Sequence, residues 1–97
     1  MPKSKTRKPF AVHPGEVLVK EFLEPSGLSV YRLAQAVHSA RIYAVARGER
    51  SISADTALRL GKYFGLPPQF WMNLQADYDL RRAAPRARLG TIRPRAA

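Results

Sequence analysis

Ser39, Arg41, Tyr43, Arg47 and Arg50 sit close together in the chain, and each side chain has a way of meeting a polyanion. Arg41 can donate in a fork to guanine O6 and N7, and Ser39, near a helix start, can bond a base edge or a phosphate. Tyr43 suits stacking on a sugar or contact with a thymine methyl, and equally a place at the edge of the core. Arg47 and Arg50 follow the helix rather than open it, which suits them to clamping phosphate, a contact that adds affinity with little sequence information. This basic corner runs straight into a capped helix. Ser53 can accept from N–H groups two or three residues on, Asp55 lies in the first turn against the positive helix end, and Ile52 can staple onto Ala57. Taken alone, such a corner also reads as a solvated connection between two helices.

Other chemistry finds little material. The chain holds two histidines, His13 and His38, and no cysteine, so disulfides, thiolate metal sites and a structural zinc site are not expected. A nucleophile needs a nearby base and an orienting partner, yet the two histidines flank different helices and neither stands in a catalytic string, so no catalytic residue is assigned. Asp77 and Asp79 lie two apart on a helix, diverge by about 200°, and read as a solvated face rather than an acid–base or metal pair. His38 reads as a turn residue bonding a backbone carbonyl. No cofactor is implied.

The chain has 97 residues, 45% of them hydrophobic, which is enough for one domain with a modest core. No apolar run approaches the ~20 residues of a membrane span, and the opening Met1 to Lys8 lacks the apolar stretch of a signal peptide, so a cytoplasmic protein with no membrane partner is expected. The net charge of +10 is unevenly spread. Segments 1–12 and 85–97 each carry four basic and no acidic residues, whereas 13–84 holds nine basic against seven acidic. Within that middle part, 13–28 has one basic and three acidic residues, and 39–62 has five basic and two acidic. The division is a domain at 13–84 with one acidic and one basic side, flanked by basic tails expected to be disordered.

Helices separated by punctuation must position these groups. His13-Pro14-Gly15 opens the first, with Val17, Leu18 and Phe22 as its apolar stripe, and Glu24-Pro25-Ser26-Gly27 closes it. Ser29 caps a second that places Val30, Leu33, Ala34 and Val37 on one face. A third carries Ile42 and Val45 and ends near Gly48. The fourth runs from about Ala54 to Phe64, burying Ala57, Leu58 and Leu60 or Phe64, with Gly65 just past its end. Pro67-Pro68 starts a fifth through about Arg82, rich in aromatic residues. Phe70 and Leu74 read as core. For Trp71 and Tyr78 a core position and contact with another subunit both stand, because the patch exceeds what one small core can cover.

Five short helices with a basic corner after the third resemble the lambda-repressor-like helix-turn-helix fold, an all-α architecture. His13-Pro14-Gly15-Glu16, Glu21-Phe22-Leu23-Glu24-Pro25, Arg47-Gly48-Glu49-Arg50, Ala54 to Leu60 and Phe70 to Leu80 stand in the order and spacing of the HigA family of antitoxins, and the resemblance covers about residues 13–82. It implies a toxin–antitoxin module. The antitoxin neutralises a HigB-like toxin that cleaves mRNA on the ribosome, and as a homodimer it represses its own operon at a palindromic operator. It also implies subunit contacts at Trp71 and Tyr78. Such toxins are commonly basic, which makes the acidic first helix one candidate for their docking.

One departure from the pattern bears on all of this. Ala34 and Ile42 are eight apart where about ten is usual, and Ala36 to Arg41 contains neither Gly nor Pro. Either a tight turn survives, with Ser39 capping a shortened third helix, or residues 29–47 form one long helix. Val37 and Ile42 lie five apart, which puts them about 140° apart on a straight helix. That phase favours a bend near His38-Ser39. Two other readings remain: a basic RNA- or ribosome-associated module using its tails, and a toxin-binding protein whose short turn has abolished DNA recognition.

Overall fold

Residues 11–96 are described by the computed structural model, and every regular element among them is a helix. The expected N-terminal tail at 1–12 lies almost wholly outside the described residues. Helix α1 covers residues 14–26 as three continuous pieces, Pro14–Val17, a wider π-helical Leu18–Leu23, and Glu24–Ser26. The Gly15 N–H donates to His13 Nδ1 at 2.8 Å, and Pro14 has no N–H to satisfy. In the π segment the Glu24 N–H reaches back five residues to the Val19 carbonyl. That spacing turns both Leu18 and Leu23 into the core, whereas a plain helical stripe of Val17, Leu18 and Phe22 misses Leu23; Val17 and Phe22 are only half-buried.

Helix α2, Val30–Ala36, starts on Ser29, whose side chain accepts from the Arg32 N–H, and it buries Leu33, Ala34 and the following Val37. Helix α3, Arg41–Ala46, is a separate element and not an extension of α2. The bend brings Val37 and Ile42 into one core, together with Val45. Gly15 seats α3 against α1, because a Cβ there would collide with the Val45 carbonyl. Helix α4, Ala54–Phe64, is capped by Ser53, which accepts from the Thr56 N–H at 3.2 Å, and it buries Thr56, Ala57 and Leu60. Leu58, expected inside, is 60% exposed. It lies next to Ala57 and so points about 100° away from it, out of the buried stripe.

Helix α5, Pro68–Ala83, packs along α4. Its inward row is Trp71 and Gln75, one position out of phase with the row of Phe70 and Leu74 suggested by the sequence, whose members are only half-buried. Trp71 is fully enclosed, with ring centroids 4.9 Å from Phe22 and 5.0 Å from Phe70. Such pairs add about 0.5–1.5 kcal/mol each beyond the area they bury. A residue with no exposed surface cannot touch a second subunit, so the subunit contact expected of Trp71 is replaced by a core role. Residues 84–96 beyond α5 are exposed throughout.

Candidate nucleic-acid interface

The α2–α3 turn closes without glycine because His38 takes the left-handed conformation, φ +55°, a region in which histidine is several-fold enriched among non-glycine residues. The His38 N–H donates to the Gln35 carbonyl at 3.2 Å and the Ser39 N–H to the Ala34 carbonyl at 3.0 Å, the paired bonds that close a helix end at a left-handed residue. Ser39 and Ala40 alone then separate this end from α3. The side chain of His38 is exposed. It is the backbone, not the imidazole, that makes the turn.

Ser39 does not cap α3. The residue at the cap position is Ala40, which offers no side-chain acceptor, and Ser39 contributes only its carbonyl, 3.4 Å from the Ile42 N–H. The helix begins one residue later than a serine cap requires. Ser39 and Tyr43 instead share a shallow cleft with Gln35 and Ala40 in the crook between α2 and α3. Tyr43 is half-buried and packs on the core edge while lining that cleft.

Arg41 folds back toward the α3–α4 connection, donating to the Ser51 carbonyl from Nη2 at 3.1 Å and Nε at 3.4 Å. A guanidinium has five donors, so this tether leaves donors for a further partner. Arg47 pairs with Glu49 at 3.1 Å, both side chains about 60% exposed. A pair so open to water holds weakly, at about 0–1 kcal/mol, and can exchange its carboxylate for a phosphate. Arg50 is exposed on the same corner, which Gly48 turns at φ +78°.

Three side chains outside the candidate set hold this corner and the turn. Arg59 of α4 donates from Nη1 to the carbonyls of Val37 and His38, at 2.7 and 3.2 Å, while its Nε donates to Asp55 at 2.8 Å. Read from sequence, Asp55 and Arg59 are an ordinary exposed pair four residues apart on a helix. Gln75 accepts the buried Ile52 N–H at 2.7 Å and donates to Asp79 at 3.0 Å, tying α5 to the end of the corner. A polar residue four positions after Trp71 was the available signal for it. Asp77 meanwhile pairs with Arg81, so the two aspartates serve different partners.

His13 is the third. Its Nδ1 accepts from Gly15, so the other ring nitrogen carries the proton of the neutral ring. Burial holds the imidazole below its ordinary pKa, with Arg82 acting in the same sense, against opposing pulls from the Arg50 backbone bond and Asp79. The His13 ring meets Tyr78 edge-on at 4.9 Å, and Arg82 lies 5.4 Å over the Tyr78 ring and donates to its hydroxyl. Tyr78 is half-buried and keeps an open edge. Among the described residues no cluster of three metal-ligating side chains occurs, and no helix is long and apolar enough to cross a membrane.

No family model matches the chain. Individual proteins match it closely. Virulence-associated protein I of Dichelobacter nodosus is 49% identical over 85 residues, spanning 86% of this chain and 78% of that protein. Antitoxin HigA-1 of Vibrio cholerae is 39% identical over 76 residues, spanning 76% and 70% of the two chains. Among solved structures, PA4674 of Pseudomonas aeruginosa in complex with its operator DNA superposes with a TM-score of 0.83 at 42% identity, over 88% of this chain and 97% of that one. With the five-helix order, the separate α3 and the basic corner all in place, the chain belongs to the HigA family of helix-turn-helix antitoxins.

Proposed function

We propose that this chain is a homodimeric, sequence-specific DNA-binding antitoxin that represses its own operon at a palindromic operator and neutralises a HigB-like mRNA-cleaving toxin. The observation that carries the reading is that α3 stands apart from α2, with the cationic 47–50 corner directly after it. Support comes from the likeness to PA4674, solved with its operator, and from the likeness to an antitoxin of Vibrio cholerae. A small single module covers one half-site, so a two-fold operator calls for two copies.

In this reading Arg41 is the base reader, Tyr43 and Ser39 line the groove-facing cleft, and Arg47 and Arg50 clamp phosphates. Tyr78, with its open edge near the end of α5, belongs to the subunit contact. The exposed Glu16, Glu21 and Glu24 of α1 present an acidic face to a basic toxin. Arg86, Arg88, Arg93 and Arg95 add phosphate contacts of no sequence preference. The protein works in the cytoplasm by binding alone, without catalysis or cofactor.

A gel shift tests the reading. At ~150 mM salt the upstream operator should be bound at least about tenfold tighter than a scrambled duplex. Arg41→Ala should erode that ratio, and Arg47→Ala should weaken both duplexes alike; equal effects of the two would remove Arg41 as a reader. Equal binding of RNA and scrambled DNA would make the chain a general RNA-associated module. Toxin neutralisation with no operator preference would leave a toxin-binding protein only.

A further inference from the structure

We propose that Arg59 is a positioning residue for DNA reading: by gripping the Val37 and His38 carbonyls from α4, it sets the angle at which the glycine-free turn presents α3 to the groove. The inference rests on the operator-binding reading above.

The last carbonyls of a helix have no partner within it, and a cation near them is favoured by the helix dipole. At the end of α2 the His38 and Ser39 N–H groups satisfy Gln35 and Ala34. The carbonyls of the two turn residues beyond the helix, Val37 and His38, are the ones that Arg59 Nη1 reaches at 2.7 and 3.2 Å. Their direction follows from the backbone angles at the two residues where the chain turns. Fixing the carbonyls therefore fixes the turn.

The other end of the grip is set by α4. Asp55 holds Nε at 2.8 Å, and α4 itself is anchored by the Ser53 cap and by the fully buried Ala57 and Leu60. One planar guanidinium meets a carboxylate and two carbonyls at once, a geometry that the single ammonium of lysine does not reproduce. What the grip controls is short. α3 has six residues, a length of about 9 Å, so a tilt of about 10° displaces its far end by roughly 1.5 Å, beyond hydrogen-bond tolerance. Nε and Nη1 are engaged by Asp55 and the turn while Nη2 is free among the described residues, so the salt dependence of binding is what separates action through α3 from a direct phosphate contact.

The full-length protein and its Arg59→Lys and Arg59→Ala variants, each checked for helical content and thermal unfolding, are titrated with operator and with scrambled duplex over a salt series. The expected result is that operator affinity falls at least about tenfold, while scrambled-duplex affinity and its salt slope stay within about twofold of the wild type. Should Arg59→Ala fail to fold, Arg59→Lys, which keeps the charge beside Asp55, decides. A folded Arg59→Lys protein with the wild-type operator preference overturns the inference. So does parallel weakening on both duplexes with the salt slope reduced by about one, which would make Arg59 a phosphate contact. A wild-type protein with no operator preference overturns the operator-binding reading and this inference together, and is told apart from the other outcomes because no variant is needed to see it.

Discussion

Four helices of this protein end in the same way, but three of the ends carry glycine and one carries histidine. After α1, α3 and α4 the left-handed residue is Gly27, Gly48 or Gly65, with φ between +69° and +78°. After α2 it is His38 at +55°. The closing bonds match: Leu28 to Leu23 at 3.0 Å, Glu49 to Ala44 at 2.9 Å, Leu66 to Gly61 at 3.0 Å, and Ser39 to Ala34 at 3.0 Å. Glycine enters this conformation without a steric penalty, so the three ends are determined by their own few residues. A residue with a Cβ pays about 1–2 kcal/mol there. At His38 the deficit is met from elsewhere, by Arg59 reaching across from α4 and by the burial of Val37 and Ile42 on either side of the turn.

The strongest way to break this comparison is to make residue 38 less willing to turn. His38→Val puts a β-branched side chain in the left-handed region and should cost about 2 kcal/mol in urea unfolding, with loss of operator preference as α3 is released. His38→Gly should bring the fourth end into line with the other three. It relieves the backbone penalty but adds the unfolded-chain freedom of glycine, so the net change should stay within about 0.5–1 kcal/mol of the wild type. A His38→Val protein as stable and as selective as the wild type would mean that the left-handed turn does not govern the domain.

The same contrast separates what could be read from the sequence. The glycine-ended helices and the Ser29 and Ser53 caps follow from signals within a few residues and stand where those signals put them, whereas the bend after α2 stands where the Val37–Ile42 phase puts it but without the Ser39 cap expected there. The positions misjudged are those decided by packing between helices. Leu58 reads as buried, and Trp71 reads equally as core and as subunit contact, because apolar residues around both helices allow more than one inward stripe. In α5 the choice is made by Gln75, a polar residue that is buried because it satisfies the Ile52 N–H. Arg59 was hidden for the same reason: its local partner Asp55 accounts for it fully until the α2 carbonyls are in view. Within the candidate interface, residue types propose Arg41 as a base reader and Arg47 as a phosphate clamp. They did not show that Arg41 is tethered to Ser51 or that the cap position of α3 is Ala40.

A milder perturbation at one of the glycine ends sharpens the contrast. A Cβ added at Gly65 would meet nothing within 4 Å, so Gly65→Ala isolates the backbone penalty from packing. It should destabilise the protein by about 1 kcal/mol in the same urea experiment and leave the operator-to-scrambled ratio unchanged, since α3 does not depend on this end. If the ratio fell as far as in His38→Val, the two ends would be coupled through the whole domain, and the special standing of the α2 exit would disappear.

The smallest effect should come from the start of α1, where the local partner is titratable. His13 serves the Gly15 N–H through its neutral Nδ1, and burial lowers its pKa from the ordinary value of about 6.5. The folded chain thus holds the proton less well than the unfolded chain, so stability rises with pH across this window. The contribution is complete above about pH 6.5 and is lost as pH falls from there through the folded value. Asparagine also accepts at a helix start but carries no proton to gain, so His13→Asn should show a smaller loss of thermal stability than the wild type between about pH 7.5 and about pH 5. Because the ring is only half-buried, the difference should be smaller than either substitution effect above. Parallel pH curves for the two proteins would show that the cap is not held by the neutral imidazole.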